Sequence, residues 1–298
     1  MHFEKLITLL EKDKDNFTVK KRWAGVDKSD VPYDIFYQSK EMLRQYVMYN
    51  EFVFIHRRMS KTLFCRNLLL ICGVNNEGRT IVFGVAFIKE DVQEGFKFAV
   101  SSFLTSVTEA PRSIIIERLS TLKTSIEALL KDYPSTSLLY CNNHLQKSLK
   151  YQIKQLMQTR DQKLSDSVKH LMMRVEKLPK RDGVAALKKE LDECRALSQN
   201  ETCKRQCGEI AIIVEKIAKE AQYWSRHITQ ASFNAGTNVT ERSEVLKMWL
   251  SRSLSRREDR NLEAIKMLTN FDWLNLIQTP DLRKEDLIKA LGRDHALV

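Results

Sequence analysis

Cys141 and His144 stand three residues apart, and thiolate and imidazole are two of the donors that bind zinc. A structural zinc site uses four ligands, so the pair alone is not a site; Cys203 and Cys207, one helical turn apart, could supply the other two. The competing reading is a buried cysteine beside a hydrogen-bonded histidine that holds a helix start. His56, His170 and His227 belong to no ligand motif. A second chemistry is phosphate neutralisation. Arg252, Arg256 and Arg260 recur every four residues, with Arg257 beside them, and make one stripe on a helix. Lys20-Lys21-Arg22 next to Trp23, and the cations from Lys177 to Arg181 around Pro179, are further basic groups whose hold on a phosphate backbone would weaken as salt rises. Glu258, Asp259 and Glu263 interleave with the arginine stripe, so a solvated, internally paired face is an equal alternative.

The chain that must position these groups has 298 residues, 43% apolar and 29% charged, which is the composition of a folded globular protein. Its net charge of +11 favours anionic partners, nucleic acid first among them. No run approaches the roughly 18 apolar residues of a membrane span, and the start Met1-His2-Phe3-Glu4-Lys5 is unlike a signal peptide. An intracellular protein without a membrane is therefore expected. The six cysteines form no dense framework and read as thiols, and the Asn-x-Thr triplets at Asn16, Asn200 and Asn238 are discounted as glycosylation sites.

Apolar residues at helical spacing in 5–11 and 35–48 predict a helical lead-in over residues 1–48. The period then becomes that of strands at 51–55, 67–74 and 80–88, the last two joined by Asn75-Asn76-Glu77-Gly78, residue types that close a hairpin. A helix from Glu90 to about Val107, a strand at 113–117, a helix at 119–131 and a strand at 137–141 follow. Three hairpin-connected strands, then helix, strand, helix and strand, is the element order of an RNase H-like mixed sheet, although other α+β folds share it. We place that core at 49–145, a helical insertion at 146–235, and a final core helix with a helical tail at 236–298.

The segment from Leu68 to Ile88, with Cys72-Gly73-Val74-Asn75-Asn76-Glu77-Gly78 at its centre, resembles the second and third strands of the Mutator-like (MULE) transposases and of the plant far-red-impaired-type regulators derived from them. Glu90-Asp91 with Phe96 resembles their next helix. Pro111 to Glu117 resembles the strand that delivers their second catalytic aspartate, and Cys141-Asn142-Asn143-His144 matches their Cys-x-x-His motif. Tyr223-Trp224, Phe233-Asn234, Gly236-Thr237 and Arg242-Ser243-Glu244 are similar to the segment carrying their final glutamate. The resemblance spans about residues 45–260 and omits the family's zinc-containing terminal regions, as in a fragment or shortened relative.

What the resemblance implies is a DDE-type site, in which three carboxylates hold two Mg²⁺ or Mn²⁺ ions for DNA phosphodiester transfer. It places Arg57 at the first aspartate, Glu117 at the second and Glu244 at the third. A cation about 4 Å from a divalent ion is repelled by several kcal/mol even at an effective dielectric near 20, so Arg57 would disable the site. Glu117 and Glu244 would then be vestigial, or metal ligands only if activity survives. Glu51 and Asp34 are conceivable substitutes for the first carboxylate. The expectation is a DNA-binding, transposase-type protein of the nucleus with impaired or lost strand transfer. An active transposase or nuclease with atypical carboxylates, and a non-enzymatic adaptor with DNA, protein or self-association partners, are the alternatives.

Overall fold

A computed structural model describes residues 7–8, 10–13, 15–23, 34–58, 67–89, 93–154, 169–175, 177–180, 182–198, 201–225 and 229. Seven strands form one mixed sheet: β1 (Phe17–Arg22), β2 (Asp34–Ser39), β3 (Phe52–Arg58), β4 (Asn67–Val74), β5 (Thr80–Ile88), β6 (Ser113–Ile116) and β7 (Ser137–Tyr140). Their order is β1-β2-β5-β4-β3-β6-β7. Pairing is antiparallel from β1 through β5 and β4 to β3, and parallel from β3 to β6 and from β6 to β7. Among the described helices are α1 (Lys40–Met48), α2 (Gln93–Leu104), α3 (Ser120–Leu130), α4 (Asn142–Lys154), α5 (Gly183–Leu197) and α6 (Glu201–Ala218), and a short 3-10 turn follows at Ala221–Tyr223. The protein is thus a mixed α/β protein. None of its described helices is long and apolar enough to cross a membrane.

Strand periodicity sorts the core into two layers. Val53, Ile55, Leu69, Ile71, Ile114, Ile116, Leu138 and Tyr140 face one side, with Phe96, Val100 and Phe103 of α2 and Leu122 and Ile126 of α3. Phe52, Phe54, Leu68, Leu70, Ile115 and Leu139 face the other, with Ile7, Leu10 and Met42. The first layer runs on without a break into Leu145 and Leu149 of α4, Leu187 and Leu191 of α5, and Ile210 and Val214 of α6. The helical segment after residue 145 therefore shares the core of the sheet.

The expected helical lead-in is corrected: residues 17–22 and 34–39 are strands that extend the sheet beyond β5. The reading failed because Ile35-Phe36-Tyr37 is a continuous apolar run leading straight into a true helix, and such runs fit helix and strand alike. Tertiary pairing decides. Ile35, Phe36 and Tyr37 are all fully buried, which a strand covered on both faces permits, and helix starts only at Lys40, where the Ser39 hydroxyl accepts a hydrogen bond from Met42 N at 3.0 Å. β3 also runs three residues past its expected end at Ile55, through His56 and Arg57 to Arg58.

A bulge adjusts the sheet to its second layer. Opposite Ile71 and Cys72 stand Gly84 and Val82, so Phe83 is the extra residue and its main chain leaves the ladder. Parity along β5 flips accordingly: Ile81 and Phe83, then Ala86 and Ile88, face the same layer. The buried Gln38 on β2 donates from Nε2 to the Phe83 carbonyl at 2.8 Å, restoring the bond that the bulge removes. The Phe83 ring lies over Gly73, where a Cβ would come within 2.2 Å of it, so only glycine fits there. Gln38→Leu should lower stability by about 1–3 kcal/mol by orphaning a buried carbonyl. Urea denaturation of the variant and the parent chain measures it.

Candidate metal centre at the strand ends

The parallel ladder of β3 and β6 ends with Ile55 beside Ile116. One residue further, His56 and Glu117 come side by side on the face of Phe54 and Ile115, because alternate residues share a face. β7 lies next to β6, and the chain leaves it at Cys141, whose amide donates to the Ile116 carbonyl at 2.8 Å. α4 starts at Asn142, so His144 sits in its first turn above the same strand ends. One ligand-type atom each from His56, Glu117 and His144 lies within 4.8 Å of the other two. The two imidazole rings have centroids 6.1 Å apart and are tilted by 34°. His56 is buried at 3% exposure, while Glu117 and His144 are half-buried. The carboxyl ends of parallel strands are where open α/β sheets place their ligands.

Arg57 is elsewhere. Paired with Leu69, it alternates to the layer of Val53 and Ile55 and does not share the face of Glu117. Glu244, and the stripe of Arg252, Arg256, Arg257 and Arg260, lie outside the described residues. Cys141 is buried against the second layer and is not one of the three converging groups. Cys203 and Cys207 lie with Cys194 between α5 and α6, apart from that group. Sequence reasoning missed His56, which belongs to no linear motif. Its signal was positional: Phe52, Phe54 and His56 are alternate residues of a strand whose parallel neighbour ends in an acid.

The two substitute carboxylates are placed as well. Asp34 is fully buried at the start of β2, where it accepts from Arg22 Nε at 2.6 Å and from the Lys89 amide at 2.9 Å. Glu51 is exposed and precedes β3, at the opposite end of that strand from His56. The basic group on β1 is also engaged within the fold. Lys20 donates to the Ser102 carbonyl at 2.8 Å and to Thr105 Oγ1 at 2.7 Å, with burial lowering the pKa of its ammonium. Lys21 pairs with Glu11, and Arg22 pairs with Asp34.

Beside the site, Glu220 joins the helical segment to the strand ends. Its carboxylate accepts from Arg118 Nε at 2.6 Å, Tyr140 Oη at 3.2 Å and Lys123 Nζ at 3.3 Å. Tyr223 stacks on Tyr140 with centroids 5.0 Å apart, bonds Glu127, and lies under Lys123. Burial pushes the Glu220 carboxyl up, but the hydrogen bonds and charges of Arg118 and Lys123 outweigh it and hold the pKa below its ordinary value of 4.5. A folded-state pKa below the unfolded one stabilises the fold fully above about 4.5, and that contribution is lost as pH falls through the lower folded-state value. Solvent screens this partly exposed junction, so Glu220→Gln should cost about 0.5–1 kcal/mol at neutral pH. The difference between the two chains should shrink below about pH 4.5, as urea midpoints measured down to about pH 3 would record.

These groups define a mixed α/β sheet protein with two imidazoles and one carboxylate at the carboxyl ends of its parallel strands. A family model described as the MULE transposase domain matches residues 60–148. That span runs from the approach to β4 into α4, so it contains Glu117, Cys141 and His144 and begins after His56. The match supports the resemblance to the MULE family and points to a transposase-derived function. No curated protein matches the chain.

A two-Mg²⁺ centre requires hard oxygen donors, and the converging described residues supply a single carboxylate. If strand parity decides the site, His56→Asp creates a carboxylate pair with Glu117 and raises Mg²⁺ affinity, whereas Arg57→Asp does not. Isothermal titration of the two variants compares them.

Proposed function

We propose that the chain is a transposase-derived module with an RNase H-like core that binds nucleic acid and has lost DNA strand transfer. The observation that carries this reading is the MULE match across β4 to α4, together with an imidazole, not a carboxylate, beside Glu117. The strand order β5-β4-β3-β6-β7 supports the RNase H-like assignment: three antiparallel strands are followed by two that run parallel to the first of them. In this reading β3 is the strand that carries the first metal-binding acid in active relatives, and His56 occupies the place of that acid on the shared face. β1 and β2 are additions at the far edge. The relation to the plant far-red-impaired-type regulators and a nuclear location belong to the same reading, since those proteins keep a transposase fold for binding.

The net charge of +11 supplies the attraction for a phosphate backbone. Because the β1 cations are engaged within the fold, the reading assigns that attraction to the arginines from Arg252 to Arg260. Fluorescence anisotropy with a generic DNA duplex should show affinity that falls linearly with salt on a log–log plot, at a slope near −0.9 per phosphate contacted. The same preparation should not cleave or join DNA with Mg²⁺ or Mn²⁺. Metal-dependent cleavage abolished by Glu244→Ala would contradict the loss of chemistry. Absence of salt-dependent affinity would contradict the binding role.

A further inference from the structure

We propose that His56, Glu117 and His144 form a mononuclear site for a transition-metal ion of the Zn²⁺ class. The donor set is the first argument. Two imidazoles and one carboxylate are the protein ligands of hydrolytic zinc sites, and imidazole selects Zn²⁺ and its neighbours over the oxygen-seeking Mg²⁺. Geometry is the second. Ligands about 2.0–2.1 Å from a tetrahedral zinc lie roughly 3.4 Å from one another. The three donor atoms lie within 4.8 Å of one another, so a closure of at most about 1.4 Å by side-chain rotation brings them to ligand spacing.

Placement is the third argument. His56 and Glu117 stand at the ends of paired central strands, and His144 stands in the first turn of a helix tied to β6 through the Cys141 amide. Rigid elements thus hold all three donors at one sheet edge, which limits the freedom lost when an ion binds. Electrostatics is compatible with a cation. The N-terminus of α4 carries roughly half a positive charge, and the full negative charge of Glu117 outweighs it. Arg57 belongs to the other layer, and Arg118, next to Glu117, is neutralised by Glu220 at 2.6 Å. Among the described residues no fourth histidine, cysteine or acid lies within 4.8 Å of all three. A position therefore remains for a ligand from outside that set.

The inference shares its sheet edge with the proposed loss of strand transfer but does not depend on DNA binding, and anisotropy on the same preparation separates the two. The test is titration of the chelator-stripped full chain with Zn²⁺ and with Co²⁺ as a spectroscopic probe. One equivalent should bind, with the visible bands of a nitrogen- and oxygen-ligated Co²⁺ ion and without competition from millimolar-range Mg²⁺. Glu117→Gln and His144→Ala, both at half-buried positions, should each weaken Zn²⁺ binding by about 100-fold or more. Arg57→Ala should leave it unchanged. Circular dichroism of the same variants checks their folding, and the near-isosteric Glu117→Gln carries the test if His144→Ala unfolds. The proposal is overturned if the folded native chain binds no Zn²⁺ tighter than about 10 μM. It is equally overturned if Glu117→Gln binds as the parent does, or if thiolate charge-transfer bands place the ion at the cysteines.

Discussion

The parallel pairing of β3 with β6 is the constraint on which the site depends. β3 is bonded on one side to β4 and on the other to β6, so its register is fixed from both edges. Side chains on a strand alternate with period two, and a shift of one residue exchanges the two faces completely. Because Phe54 pairs with Ile115 and Ile55 with Ile116, the next residues to share a face are His56 and Glu117. The burial of Val53 and Ile55 in one layer and of Phe52 and Phe54 in the other makes a slip costly, since it would carry large apolar side chains away from their own layers. Core packing far from the site thereby selects an imidazole over a guanidinium as the neighbour of the acid.

The surroundings of the strand ends are built by two further devices. Cys141 bonds the Ile116 carbonyl and at once begins α4, which brings His144 over β6 without a long loop. Glu220 ties the helical segment to Arg118, two residues past β6, and to Tyr140 at the end of β7. Each polar group in that junction has an opposite partner, as partly buried charges require. The helical segment shares one apolar layer with α2 and α3, so it acts as a wall of the sheet.

Much of the sheet was legible because its signals are local. The runs 67–74 and 80–88 are apolar and bounded by a hairpin sequence, and Asn75 closes that turn by accepting from the Arg79 amide at 2.8 Å, with Gly78 at φ 75°. Ser113–Ile116 and Ser137–Tyr140 are short apolar runs between amphipathic helices, the pattern of parallel strands covered on both faces. β1 and β2 were not legible. Phe17-Thr18-Val19-Lys20-Lys21-Arg22 buries only Phe17 fully, and its pairing with β2 is a tertiary fact. Glu117 could be singled out through its place after a strand, whereas His56 had no such mark. Two arginines follow it in sequence, and its neighbours in space lie 61 and 88 positions away. Resemblance to a family aligns residues by spacing, and spacing that is uncertain by one residue cannot tell which face of a strand a side chain occupies.

Disulfide trapping tests that parity most directly. Adjacent strands lie about 4.8 Å apart, and bridged cysteines need Cα separations of about 4.4–6.8 Å with their Cβ atoms on the same side. Oxidation of a His56→Cys, Glu117→Cys double variant, followed by mass spectrometry of the linked peptides, should yield the crosslink in high proportion. An Arg57→Cys, Glu117→Cys pair should yield none. Efficient linkage of the second pair and not the first would place Arg57 beside Glu117 and contradict the account.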